Sequence, residues 1–147
     1  VWLDADRNGS KDSGETAIEG ITIYAVDVET NNPVVDSNGT RITTTTNSDG
    51  FYTLNLPESQ YLIVFEYDTN QYNVTTYQAE GVSESKNSKA INSTITIDGE
   101  TKNVATTDNI NLTSSIANLN LGLTEATNFN LEEHKHIINQ MGLHLQK

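Results

Sequence analysis

Apolar residues recur at nearly every second position in several short segments, and polar turn residues separate these segments. Residues 21–28, 60–67 and 116–123 show the pattern most clearly, and the second of them is apolar almost throughout. A period of two places alternate side chains on opposite faces of a strand, so these segments predict β-strands and 60–67 predicts a central strand. Further strands are expected at 40–46, 51–56, 72–77, 94–97 and 104–112.

Asn-Gly and Asp-Gly pairs mark tight turns at residues 38–39, 49–50 and 98–99. Such pairs accept the left-handed backbone that short hairpin turns need, so we expect one hairpin around 49–50 and another around 98–99. Residues 79–93 carry no clear period and predict a long loop. About seven short strands with no helix before residue 124 predict an all-β protein with the architecture of a β-sandwich.

The pattern changes at the C-terminal end of the chain. Residues 124–128 are polar, and Asn130 is a candidate helix N-cap with acidic residues in the turn that follows. We therefore predict two units, a β-sandwich over 1–123 and a linker with a short C-terminal helical tail over 124–147. The tail is either an appended segment that leads into a next module or a helix that packs on a partner.

Oxygen-bearing side chains are concentrated between residues 4 and 15, a segment called the 4–15 loop below. Their spacing fits the calcium-loop pattern D-x-[DN]-x-[DN]-G-x5-E at every specified position, with Gly9 at the sharp turn. Calcium takes about six to eight oxygen ligands, and alternate residues of a tight loop can face one centre. The alternative is an ordinary polar turn. The expected Ca²⁺ ligands are the side chains of Asp4, Asp6, Asn8, Asp12 and Glu15 and the backbone carbonyl of Ser10.

The segments on either side of the 4–15 loop have the character of strands. Residues 1–3 precede the loop and residues 18–26 follow it, and β-branched and aromatic residues dominate both segments. We therefore expect a loop that joins strands, and not the helix–loop–helix arrangement of a calcium sensor.

The composition narrows the classes of partner. The chain of 147 residues has a net charge of −12, which argues against a nucleic-acid partner because few cations are available to neutralise phosphates. It has no cysteine, so a disulfide framework is excluded and bound calcium is a candidate source of rigidity. No apolar run approaches the ~20 residues of a membrane span, and we expect no membrane insertion in this segment. The chain starts inside a predicted strand, and we interpret it as part of a longer protein.

Candidate catalytic groups are few. The three histidines lie in the tail, and many of the acidic residues lie in turns and in the 4–15 loop. No glycine-rich phosphate loop after a strand and no G-x-S-x-G motif is present. The sequence therefore predicts a protein that is not an enzyme.

Taken together, these motifs resemble the SdrD B-like (Cna B-type) repeats of Gram-positive surface adhesins. The most specific similarity lies in residues 1–15, and residues 44–56 and 118–123 are similar to the middle hairpin and the closing strand of that family. The resemblance implies an Ig-like β-sandwich with calcium in the 4–15 loop. It also implies an extracellular, cell-wall-anchored position in a stalk or an adhesive region.

Related Cna B-type domains often carry a Lys–Asn isopeptide bond that a buried acid promotes. By this resemblance, Glu66 is a candidate for the acid and Asn118 or Asn120 for the asparagine. The opening strand has no lysine and Lys11 lies in the 4–15 loop, so we expect no such bond.

Two functions from different classes are consistent with these features. The first is a structural spacer, in which calcium holds together strands that the crowded acids would otherwise push apart. Its partners are the neighbouring domains of the same surface protein. The alternative is an adhesion module that binds a host protein or a glycan. We predict the spacer.

Overall fold

The computed structural model describes residues 1–126, which form ten β-strands in two sheets and contain no helix. This all-β, sandwich-like arrangement agrees with the fold expected for the body of the chain. None of the described segments is a helix with the length and apolarity to span a membrane. In chain order the strands are β1 (Trp2–Leu3), β2 (Thr22–Asp27), β3 (Asn32–Pro33), β4 (Thr43–Thr45), β5 (Ser59–Glu66), β6 (Tyr72–Val74), β7 (Ala90–Ile97), β8 (Glu100–Thr107), β9 (Ile110–Leu112) and β10 (Gly122–Glu125).

The predicted fold class needs correction at its C-terminal end, where the sequence suggested a linker and a short helical tail. β10 continues through Glu125, because Thr124 and Glu125 pair with Asn73 and Tyr72 of β6. The sheet hydrogen bonds of β6, which a local sequence pattern does not show, extend the strand into the predicted linker. The described residues contain no helix, and the rest of the predicted tail, 127–147, lies outside them. The division of the chain into 1–123 and 124–147 stays a prediction.

The larger sheet is built on β2 and β5, which are antiparallel from Thr22↔Glu66 to Asp27↔Tyr61. β4 and β3 pair with successive parts of the other edge of β2, and β8 and β9 pair in the same way with β5. β7 pairs with β8 and completes the sheet. β5 therefore has hydrogen-bonded neighbours on both edges, which confirms the predicted central strand.

The smaller sheet brings together the two ends of the described chain. β1 is parallel to β10, with Trp2 opposite Gly122, and β10 is antiparallel to β6. A Cβ atom at Gly122 would lie 2.6 Å from a ring atom of Trp2 and 2.6 Å from Thr75 Cγ2. Only a glycine leaves room for the buried indole at this position, so the close packing of β1 against β10 depends on Gly122.

Apolar side chains from both sheets form the main core. Ile23, Ala25 and Phe65 contribute to it from the larger sheet, and Leu121 and Leu123 contribute from the end of the described chain. Because successive side chains of a strand point to opposite faces, the residues between these core positions lie on the outer face of the larger sheet. There Tyr24, Val26, Val64 and Val104 form a second buried cluster, against which Ile95 and Ile97 of β7 pack.

Two segments with the alternation of strands have no strand partner among residues 1–126. These are 51–56, expected to form the second strand of the middle hairpin, and 116–120, expected to open the last strand. The predicted middle hairpin is therefore wrong: β4 pairs with β2, and Arg41 forms a bridge with Val35. The hairpin around 98–99 is confirmed as β7–β8, although β7 begins at Ala90, inside the predicted loop 79–93.

Candidate metal site

The 4–15 loop begins directly after β1 and is closed at its base by backbone hydrogen bonds. The N–H of Leu3 donates to the carbonyl of Thr16 at 2.8 Å, and the N–H of Ile18 donates to the carbonyl of Val1 at 3.0 Å. Residues 16–18 thus run antiparallel to β1, as the bridge between Trp2 and Ala17 also indicates. The loop joins two extended segments, in agreement with the strand character of its flanks.

Three carboxylates converge inside this loop. One oxygen each of Asp4, Asp6 and Glu15 lies within 4.8 Å of the other two. Asp4 is only 1% exposed, whereas Asp6 is exposed and Glu15 is partly buried. Desolvation, the hydrogen bond with Asp4 and the charges of Glu15 and Asp12 raise the pKa of the Asp6 carboxyl, while the N–H of Asn8 opposes this shift. The acids therefore repel one another in the absence of a cation.

Asp4 is the buried anchor of the cluster. Its Oδ2 accepts hydrogen bonds from the N–H of Gly9 at 2.8 Å and from the hydroxyl of Thr75 at 2.6 Å. Its Oδ1 accepts a longer bond from the N–H of Asn8 at 3.3 Å. These donors hold the carboxylate in one orientation inside the protein.

Glu15 closes the loop from its C-terminal end. Its Oε2 accepts from the N–H of Ala5 at 2.7 Å, and its Oε1 accepts from the N–H of Asp12 at 2.8 Å. Each carboxylate oxygen has two lone pairs, so both oxygens keep the capacity to bind a cation. Glu15 thus spans the loop from Ala5 to Asp12, and its role as the last ligand of the motif stays a prediction.

The remaining predicted ligands lie beside the three carboxylates. Asn8 donates from its Nδ2 to Oδ2 of Asp12 at 2.5 Å and accepts at its Oδ1 from the N–H of Ser10 at 2.9 Å. Asp12 does not belong to the group of three carboxylates. Ser10 is bridged to Asn87, which ties the loop to a second segment of the chain. The structure thus brings Asp4, Asp6 and Glu15 together and links Asn8 to Asp12.

Gly9 and Arg7 connect the loop to more distant parts of the chain. Gly9 has a φ of 76°, and a Cβ atom there would lie 2.6 Å from the Cβ of Ala79. Arg7 also has a left-handed backbone, with a φ of 60°. Its Nη2 donates to the carbonyl of Glu125 at 2.9 Å. The guanidinium thus fastens the loop to the end of β10.

The sequence motif did not identify Thr75 as part of the site. Thr75 follows β6 and lies 71 positions from Asp4, so no spacing rule for a calcium loop includes it. Glu66, a candidate for an acid in the core, lies instead on the outer face of the larger sheet. It accepts from the hydroxyl of Tyr24 at 3.4 Å and lies 3.5 Å from Nζ of Lys102. The three histidines lie outside the described residues.

The chemistry of the donor set fits a hard divalent cation. The converging groups are all carboxylate oxygens, which suit Ca²⁺ or Mg²⁺ and not the softer metals that prefer sulfur or imidazole. All three carboxylates belong to the 4–15 loop, and Asp4 is also bonded to Thr75 in the interior, so an ion bound there would join the loop to the body of the domain. Asp4, Asp6 and Glu15 are the residues that could hold it.

Comparison with known proteins identifies the family of this chain. The family model of the SdrD B-like domain matches residues 1–121, which include the whole 4–15 loop. The chain is also similar to serine-aspartate repeat-containing protein D of Staphylococcus aureus strains Newman, MW2 and NCTC 8325 / PS 47. Each is 31% identical over 101 residues, which is 68% of this chain and 7% of the relative. The chain therefore matches only a small part of the length of these relatives. The family model covers most of this chain, which shows that the chain belongs to the SdrD B-like domain family.

Proposed function

We propose that the domain is a structural spacer of a surface adhesin, stiffened by calcium bound in the 4–15 loop. The observation that carries this proposal is the convergence of Asp4, Asp6 and Glu15 within 4.8 Å at the point where the loop meets β1. Asn8, Asp12 and the backbone carbonyl of Ser10 would complete the ligand set, as the motif suggests. Family membership and the resemblance to adhesin repeats support an extracellular position on a Gram-positive cell wall, with neighbouring domains of the same protein as partners.

The mechanism that we propose is electrostatic. Two unit charges 4 Å apart repel by ~1 kcal/mol in water and by ~4 kcal/mol at the effective dielectric of a protein surface. Asp4 cannot move away from its neighbours, because Gly9 and Thr75 hold its carboxylate. The repulsion therefore acts on Asp6 and Glu15, which are less buried, and opposes the closure of the loop by Glu15. A bound calcium ion supplies the positive charge that turns this repulsion into attraction.

The loop transmits this effect to the sheets through three connections. The bonds from Leu3 and Ile18 hold β1 against residues 16–18, the hydroxyl of Thr75 reaches Asp4, and Arg7 holds the end of β10. An unfolded chain has no preformed site, so the free energy of binding adds to the free energy of unfolding. At a calcium concentration a hundred times the Kd, this contribution is about 2.7 kcal/mol.

Thermal unfolding in excess calcium, in excess magnesium and in excess chelator tests the proposal. We expect a higher Tm in calcium than in chelator, and no such difference in the Asp4→Ala and Glu15→Ala variants. Glu29→Ala is the matched control, because Glu29 is an exposed acid in the turn after β2 and should leave the calcium effect unchanged. The same Tm in calcium and in chelator would refute the proposal.

We propose no enzymatic activity for the domain. Its converging acids form an oxygen donor set in a loop, and the family to which it belongs is a surface adhesin domain. An adhesive function is the second candidate, and a cleft away from the carboxylates favours it.

A further inference from the structure

A cleft of about 670 Å³ lies between the extended segment 51–56 and the segment 112–120, which bends at 113–114 and has a left-handed backbone at Asn118. Residues 50–56 line one side and residues 112–120 line the other, and the buried side chains of Trp2 and Ile63 also contribute to its surface. Its volume falls in the range of ligand-binding sites, about 300–1,000 Å³. The cleft is formed by residues other than the three converging carboxylates and goes beyond the spacer function.

Backbone groups on both sides of the cleft make no hydrogen bond to the rest of residues 1–126, and the side formed by 52–56 is extended. Within residues 1–126, the N–H and C=O groups of 52–56 and 113–118 make no hydrogen bond to another segment. Tyr52, Leu54 and Leu56 pack against the core, which keeps their segment extended. An extended segment with unpaired backbone groups is a template for the addition of another strand.

Apolar side chains at the rim of the cleft would contact such a strand. Phe51 is 61% exposed and Ile116 is 42% exposed, and they lie on opposite sides of the cleft. Tyr52 joins the two sides, because its hydroxyl donates to the carbonyl of Leu119 at 2.7 Å while its ring packs edge-on against Phe65. The cleft therefore has a fixed base and an exposed apolar rim.

Two side chains of opposite charge lie at the two ends of the cleft. Its two charged side chains among the described residues are Lys11, whose Nζ lies 5.2 Å from the centre of the Phe51 ring, and Glu58 at the other end of the same side. The uncharged residues 51–57 lie between them. At ~3.3 Å per residue, the two ends of this side are at most ~23 Å apart. A bound segment of that length would meet a cation at one end and an anion at the other.

We propose that this cleft binds an extended segment of another polypeptide by strand addition. The segment has alternating apolar side chains that contact Phe51 and Ile116, an acidic residue next to Lys11 and a basic residue next to Glu58. Its backbone pairs with residues 52–56, which supplies affinity without a requirement for one sequence. A glycan is the less suitable ligand, because the unpaired groups are the alternating donors and acceptors of a backbone.

A synthetic octapeptide tests the proposal with the full chain in excess calcium. The probe is acetyl-Asp-Thr-Val-Thr-Val-Thr-Val-Lys-amide, and the control peptide has Asn and Gln in place of the terminal Asp and Lys. Amide hydrogen exchange reports on the backbone, and the fluorescence of the single tryptophan, Trp2, reports on affinity. We expect slower exchange at 52–56 and weaker binding of the control peptide.

Charge variants test whether the basic end of the peptide binds next to Glu58. Glu58→Lys should weaken binding of the charged peptide by about twofold to fivefold, since one pair of exposed charges contributes about 0.2–1 kcal/mol. Glu29→Lys makes the same change of charge in an exposed turn outside the cleft and should leave the affinity unchanged. If these two variants bind the charged peptide with equal affinity, the basic end of the peptide does not bind next to Glu58, and the proposal is overturned.

Three further results would also overturn the proposal. The first is unchanged exchange at 52–56 when the peptide is in large excess. The second is slow exchange of these amides in the free chain at every protein concentration, which would show that another part of the same chain pairs with them. The third is slow exchange that appears only as the protein concentration rises, which would show that a second copy occupies the cleft.

Discussion

The hydroxyl of Thr75 donates a hydrogen bond of 2.6 Å to Oδ2 of Asp4, across 71 residues of sequence. Both residues are buried, with exposed fractions of 7% and 1%. The bond joins the 4–15 loop to the residue after β6, and it fixes the orientation of the only carboxylate of the cluster that lies in the interior. We infer that Thr75 contributes both to stability and to the proposed metal site.

Replacement of Thr75 by valine should therefore destabilise the domain. Thr75→Val keeps the shape of the side chain but removes a donor from a buried carboxylate, which costs about 1–3 kcal/mol. Since the bond also orients Asp4, calcium affinity should fall by roughly tenfold or more. Urea unfolding in chelator measures the first effect, and calorimetric titration with calcium measures the second. Thr75→Ser retains the hydroxyl and is the control, so equal losses in both variants would contradict the prediction.

Neutralising Asp6 should change stability in opposite directions with and without calcium. In chelator, Asp6→Asn should raise the free energy of unfolding, because it removes a charge that repels Asp4 and Glu15. In calcium the same variant should be less stable than the wild type, because it loses an anionic ligand. Asp12→Asn should have smaller effects under both conditions, because Asp12 lies outside the group of three carboxylates. A larger effect of Asp12→Asn in calcium titrations would show that the bound ion is centred elsewhere.

Alanine substitutions at two glycines of the loop should distinguish the cost of backbone strain from the cost of steric overlap. Gly9 and Gly14 have φ values of 76° and 89°, so an alanine at either position adopts a backbone that costs about 1 kcal/mol or more. Only at Gly9 would the new Cβ also overlap a neighbour, since it would lie 2.6 Å from the Cβ of Ala79 and nothing lies within 4 Å at Gly14. We expect Gly9→Ala to destabilise by an additional ~1–3 kcal/mol relative to Gly14→Ala in urea unfolding. The double variant Gly9→Ala, Ala79→Gly should recover part of this difference.

Alkaline pH should weaken the fold through buried tyrosines. Burial raises the pKa of Tyr52, and burial together with the charge of Glu66 raises the pKa of Tyr24 to about 12. Above pH 10 the unfolded chain releases protons that these hydroxyls retain in the fold, so the free energy of unfolding should decrease as the pH rises. One fully buried tyrosine contributes a slope of at most ~1.4 kcal/mol per pH unit. Urea unfolding between pH 9 and pH 11 measures it, and an unchanged slope in Tyr52→Phe would contradict the assignment.

Local pattern was sufficient for the features that depend on neighbouring residues. Alternation identified β5, and the Asp-Gly pair at 98–99 identified the β7–β8 hairpin. Alternation at 51–56 also indicated correctly that Tyr52 and its apolar neighbours pack on the core. It did not indicate whether that backbone has a partner, because the period of side chains is the same in a paired and an unpaired extended segment.

The candidate site also combines features that the local sequence predicts with contacts that it does not predict. Within the 4–15 loop, the motif named Asp4, Asp6 and Glu15, which converge, and also Asp12, which lies outside their group. The contacts that connect this loop to the rest of the domain, from Thr75 to Asp4 and from Arg7 to Glu125, join residues 71 and 118 positions apart. No local spacing encodes these contacts, because they depend on how β6 and β10 lie beside β1.

The parallel pairing of β1 with β10 has a mechanical consequence. Val1 lies next to the start of β1 and Ala126 next to the end of β10, so a pull applied at these two residues draws the two strands past each other along their length. The bonds from Trp2 N–H to the Leu121 carbonyl and from Asp4 N–H to the Leu123 carbonyl then carry the load side by side and must fail together. Asp4 is also the buried residue of the carboxylate cluster, so tension on the domain would act directly on the residue that anchors the proposed ion.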